Sequence, residues 1–161
     1  MDEATKKTAL RLIPYGMFVL GSRSGDGKRA TGSTVNWVTQ VSFQPPLIAV
    51  GVKVDSTAHK HITESSVFSI NVIGKEQKNL AFTFFKTHER EGNAVAGEEF
   101  EEGSETGSPL FLASPARWEC RVMDKVAGGD HTVFVGEVVE AGGRREDLTI
   151  LIRDHGLNYG G

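Results

Sequence analysis

Cysteine is nearly absent: Cys120 stands alone among 161 residues. No intrachain disulfide can form, and a lone thiol fits a reducing compartment, so a cytoplasmic location is expected. An excess of one charge is missing too. The formal net charge of −3 provides no electrostatic footprint for nucleic acid or an anionic membrane. The longest apolar window, LIAVGV at 47–52, falls far short of the roughly 20 residues a membrane helix needs. The leading MDEATKKTALRL is charged and lacks the apolar stretch of a signal peptide. Histidine and cysteine do not recur at metal-ligand spacing. His59 and His61, two apart, point to different sides of a helix, so no metal is expected. GDGKRATGST has the wrong order for a Gly-x4-Gly-Lys-Ser/Thr phosphate loop and reads as a hairpin turn. No Ser–His–Asp order stands out. Cys120 has no neighbour that would clearly depress its pKa and is read as a buried, inert thiol.

What is present reads mostly as β-structure in one domain, 1–161. A short helix at 4–13 ends at Pro14. YGMFVLGSR is a strand, SGDGKR a turn built on Asp26–Gly27, and 30–43 the partner strand. QPP is a turn, because two prolines do not sit in a central ladder. Leu47–Val54 is a nearly all-apolar strand, buried on both faces or closing a barrel. DSTAHKHITES is a helix capped by Asp55 or Ser56, and Val67–Ile73 is a further strand. KEQKNLAFTFFK spaces Leu80, Ala81, Phe84 and Phe85 as a second helix. Residues 88–110, rich in Gly, Glu and Ser, show little periodicity and read as a loop or lid. RWECRVMDKV, HTVFVGEVVEA and LTILIRD follow as strands, parted by AGGD and GGRRED. Six or seven strands with two short helices make an all-β barrel or sandwich.

Four places carry chemistry. In STVNWVTQVSF, Val35, Trp37, Val41 and Phe43 alternate as a half-buried strand. The opposite row, Thr34, Asn36, Gln40 and Ser42, is neutral and hydrogen-bonding where water-facing strands carry charge, as if it faced a ligand. In VKVDSTAHKH, Ser56 and Thr57 at a helix start, with Lys53 upstream, suit either a phosphate or plain capping. Phe84 and Phe85 followed by Lys86 suit either the flank of a planar ligand or core packing. His131 in GGDHTVF is functional or anchors a turn.

ATGSTVNWVTQVSFQPPLIAVGV, DSTAHKHI, VFSINVI, LAFTFFK and GGDHTVFVGEV, in that order, make the chain resemble the flavin reductase-like proteins from about Pro14 to Val139. That resemblance implies a mainly-β fold, a split β-barrel with Greek-key-like strands and a few short helices, binding FMN. Thr34, Val35, Asn36 and Trp37 would then address the isoalloxazine edge, with Gln40 toward the ribityl chain. Lys53, Ser56 and Thr57 would hold the phosphate, while Phe84, Phe85 and Lys86 close over ring or phosphate. His131 would lie by the nicotinamide as the catalytic-site residue, orienting or excluding rather than reacting. The implied activity is hydride transfer from NADH or NADPH to flavin in a homodimer, with reduced flavin kept or passed to a redox partner protein. The alternative is an FMN-containing, flavoredoxin-like electron carrier reduced by a partner protein, without its own nicotinamide site. A third reading is a module that carries flavin or haem without turnover. The acidic GEEFEEGSETGS has no clear counterpart in the family.

Overall fold

The computed structural model describes residues 1–143 and 151. The chain runs α1 (Glu3–Leu10), β1 (Phe18–Arg23), β2 (Ala30–Val35), β3 (Val38–Phe43), β4 (Pro46–Lys53), α2 (Thr57–Ser65), β5 (Val67–Val72) and α3 (Lys78–Thr83). Then come β6 (Arg90–Glu91), β7 (Ala94–Val95), β8 (Glu98–Glu102), β9 (Pro109–Phe111), β10 (Ala116–Val126) and β11 (His131–Gly143). The LTILIRD strand and the GGRRED turn lie outside the described residues, apart from Leu151, which bridges Gly16.

The main sheet has seven strands in the order β2-β1-β5-β10-β11-β4-β3, every pair antiparallel. Its two edges, β2 and β3, are consecutive in the chain and joined only by Asn36 and Trp37. Laid flat, seven strands would part those edges by about 29 Å, whereas three peptide units reach at most about 11 Å. The sheet must therefore curl into a barrel. Both β2 and β3 remain edges of the sheet, so the barrel is split along a seam at Asn36–Trp37. The continuous strand expected over 30–43 is corrected to two strands on opposite sides of that seam.

The alternation expected beyond Trp37 is already reversed at the seam: Val38 packs toward the barrel core opposite Val50, which puts Thr39 and Val41 on the outer face. The register of β3 against β4 shifts between Gln40 and Ser42, and one extra residue in a strand breaks the two-residue period. Val41 is 52% and Phe43 88% exposed. Of the two expectations for Leu47–Val54, burial on both faces is corrected: buried and half-buried residues alternate along β4, with Ile48, Val50 and Val52 pointing into the barrel core, as suits a barrel strand.

β1 separates two cores, as the pleat demands. Leu20 joins Ile48, Val50, Phe68, Ile70, Cys120 and Phe134 inside the barrel, where α2 adds Ala58 and Ile62. Val19 on the other face joins Met17, Ile73, Leu80, Phe84, Val95, Phe100 and Phe111. The second core exists because 88–110 is not a loop. It forms most of a four-stranded sheet, β6-β7-β8-β9, which packs Val95, Phe100 and Phe111 inward and leaves Glu99, Glu101 and Glu102 outside. Strands of two and three residues are too short to show a period. At the end of β8, the buried Glu119 carboxylate accepts the Thr106 N–H at 2.7 Å and its hydroxyl at 2.6 Å, fixing the turn that follows.

Candidate active site at the barrel seam

A cleft of about 440 Å³ opens at the seam. Its walls are Ser33–Trp37 across the seam, Gly51–Lys53 at the end of β4, the start of α2, residues 84–87 after α3, Met17 and His131.

Asn36 is 6% exposed, and its amide Nδ2 has no hydrogen-bond partner among the described residues. Leaving such a donor dry costs about 1–3 kcal/mol, so a buried amide on a cleft wall points to an acceptor arriving from outside. Trp37 lies against β4: a Cβ on Gly51 would sit 2.9 Å from the indole Cε3, so only glycine leaves the ring room. The Trp37 carbonyl accepts the Gly51 N–H at 2.9 Å, and the ring centroid stands 4.5 Å from that of His131.

His131, the first residue of β11, is opposite Lys53 in the ladder. Its Nδ1 is 3.0 Å from an Asp130 carboxylate oxygen, and that hydrogen bond, with the imidazole's charge, holds the Asp130 carboxyl below its usual pKa. Lys53 Nζ pairs with Asp55 at 3.0 Å, lowering the Asp55 pKa in the same way. Beside β4 the cleft residues Lys53 and His131 are thus each held by a neighbouring aspartate, Lys53 by an ion pair and His131 by a hydrogen bond.

Ser56 caps α2. Its Oγ accepts the His59 N–H at 3.1 Å and donates to the Lys53 carbonyl at 2.7 Å, so its proton is already engaged. The N–H groups of Thr57 and Ala58 meet no carbonyl of their own helix, and the positive end of the α2 dipole lies at the cleft wall. Thr34 is engaged too: its N–H donates to the Phe84 carbonyl at 3.0 Å and its hydroxyl to the Ala81 carbonyl at 2.7 Å. Phe84 is buried on Phe111, centroids 4.8 Å apart, while Phe85 is 51% exposed.

The cleft gathers ten of the twelve residues singled out from the sequence: Thr34, Val35, Asn36, Trp37, Lys53, Ser56, Phe84, Phe85, Lys86 and His131. Gln40 is not among them; it is exposed on β3 beyond the seam, its amide donating to the Ser42 carbonyl at 3.1 Å. Thr57 is also outside the lining, which Ser56 and Ala58 supply on either side of it. Met17, Ser33, Gly51, Val52, Ala58 and Thr87 were missed. Of these only Gly51, a glycine interrupting an apolar run, carried a visible signal of close approach. Among the described residues no group of three or more His, Cys, Asp or Glu is arranged to hold a metal ion, and no helix is long and apolar enough to cross a membrane.

The family described as "Flavin reductase like domain" matches residues 10–159. The chain is 33% identical over 120 residues to an NADH-dependent FAD reductase of Streptomyces globisporus, covering 71% of this chain and 64% of that protein. It is 33% identical over 141 residues to the FMN reductase (NADH) SmoA of Agrobacterium fabrum, covering 88% and 77%. The solved structure of the Streptomyces globisporus C-1027 NADH:FAD oxidoreductase SgcE6 superposes with a TM-score of 0.79 at 27% identity, over 94% of this chain and 90% of that one.

Proposed function

Because the chain belongs to the flavin reductase-like family, we propose that it is an NAD(P)H-dependent flavin reductase that holds FMN in the seam cleft. The observation that carries this reading is the dry Asn36 amide on the cleft wall. The pyrimidine edge of a flavin offers carbonyl and ring-nitrogen acceptors to such a donor. The cleft fits the rest of the group: aromatic and aliphatic cover from Trp37, Val35 and Phe85, and N–H groups with a dipole at the start of α2.

When bound, the flavin supplies the centre that accepts hydride from the nicotinamide. The chain's own part is to bind and orient. Asn36 sets the ring edge, while the first turn of α2 and Lys53 hold the phosphate. Ser56 serves that end as the cap that shapes it, its hydroxyl already donating to Lys53. His131, braced by Asp130 and Trp37, orients the second substrate at the mouth or excludes water from it. Holding two reactants in contact removes much of the entropic cost of bringing them together.

The same reading has the protein in the reducing cytoplasm as a homodimer, passing reduced flavin to a partner protein. Edge strand β3, with Phe43 88% exposed, is the kind of apolar edge that proteins cover. Anaerobic mixing of the FMN-loaded protein with NADH, and separately with NADPH, tests the function: the flavin absorbance should bleach on a turnover timescale with at least one. Loaded protein that neither bleaches is an electron carrier, and protein that takes up no FMN ends the reading.

A further inference from the structure

The stretch from Ala81 to His88 forms one wall of the cleft, and strand β2 holds it at both ends. At the near end, Thr34 donates its N–H to Phe84 O at 3.0 Å and its hydroxyl to Ala81 O at 2.7 Å. At the far end, the Thr31 hydroxyl donates to His88 O at 2.8 Å. Between these ties Phe85, Lys86 and Thr87 face the cleft. The helix they follow is weakly made. α3 has six residues and no side-chain cap at its start, and a helix that short does not hold its own end in water. Ala81 O is one of its last carbonyls, a group with no intrahelical donor. The Thr34 hydroxyl meets it from another element.

We infer that Thr34 is a positioning residue: its hydroxyl, directed at α3 rather than at the ligand, sets where Phe85 and Lys86 stand over the cleft. This departs from the role the family resemblance implies, in which Thr34 touches the flavin. The inference deepens the flavin-binding reading and rests on it for the ligand, though the tether itself is made within the chain.

The experiment compares wild type with Thr34→Val, which keeps the shape and removes the donor, and Thr34→Ser, which keeps the donor and removes the methyl. Two readouts are taken: amide hydrogen exchange over 82–88 without flavin, and FMN affinity by quenching of flavin fluorescence. Losing one part-buried hydrogen bond should raise exchange over 82–88 and the FMN Kd about five- to tenfold in Thr34→Val. Thr34→Ser should stay near wild type in both. Three results would overturn the inference: wild-type exchange in Thr34→Val, equal impairment of the Ser variant, or faster exchange with unchanged FMN affinity. If Thr34→Val does not fold, Thr34→Ala against Thr34→Ser puts the same question. Wild type that binds no FMN overturns the flavin reading, and the exchange rates then decide the tether by themselves.

Discussion

The side-chain oxygen of Asn71 accepts the Phe111 N–H at 2.8 Å, and its amide donates to Val19 O at 3.1 Å and Pro109 O at 3.3 Å. One buried amide on β5 thus bonds both its neighbour in the barrel and the strand that docks the small sheet. Asn71→Ala would strand the Phe111 N–H and leave a hole in a fully buried site. We expect a loss of about 3 kcal/mol, read from urea denaturation. Trypsin and Glu-C should then cut within 88–113 under conditions where the wild type resists. Unchanged stability would contradict the docking role.

Asn36→Leu separates folding from binding. The amide Nδ2 has no partner among the described residues, so an apolar side chain of similar volume relieves a dry donor and should leave the thermal midpoint of the flavin-free protein unchanged or higher. FMN affinity should fall by about tenfold or more, because a charge-neutral hydrogen bond and its orienting effect are lost together. A variant that binds FMN as well as wild type would remove Asn36 from the site.

Lys53→Glu tests which end of the cleft takes the phosphate. Lys53 is half exposed beside the start of α2, where reversing a charge acts through solvent and modestly. FMN binding should weaken about five- to tenfold at low salt, and less at high salt. Binding of riboflavin, which lacks the phosphate, should hardly move. Equal losses for both ligands would place the phosphate elsewhere.

Acid should loosen the barrel through α2. His61 is fully buried, with Nδ1 3.3 Å from Ser22 Oγ and no partner for Nε2 among the described residues. Burial, and secondarily the charge of Arg29, lowers its pKa from 6.5. Burial and Lys125 lower that of His59 as well. A histidine held neutral in the fold takes its proton more readily once unfolded. Its contribution to stability is therefore complete above about 6.5 and is lost as pH falls from there through the folded-state value. The urea midpoint should drop between pH 7 and 5, and His61→Gln should flatten that slope in part, His59 supplying the remainder. A slope equal to wild type in His61→Gln would assign the acid sensitivity to other groups.

How much of this was legible in the sequence follows from the range over which each feature is decided. The Asp26–Gly27 turn, with Gly27 at φ +72, the Ser56 cap of α2, and the strands at 67–72, 116–126 and 131–143 depend on neighbours within a few residues. Their side chains announce them. Asn36 and Lys53, which the structure places on the cleft wall, drew notice for a related reason: a neutral amide in a polar row and a cation before a cap stand out locally, whereas Phe84 read equally well as core.

The break at Asn36–Trp37 was not legible, nor was the parity it set for β3, with Val38 inward and Val41 outward, nor the position of Gln40 beyond the cleft. All depend on which strand lies alongside, and period-two alternation reads the same whether a strand continues or changes partner. The small sheet was hidden because three of its four strands have only two or three residues and its docking involves Asn71 and Glu119, far off in sequence. The chain by itself determined the β-rich composition, the capped helix and the chemical character of the cleft. Only the curling of the sheet, forced by a two-residue link between its own edges, decided that those groups would meet and that the Thr34 hydroxyl would meet a helix end.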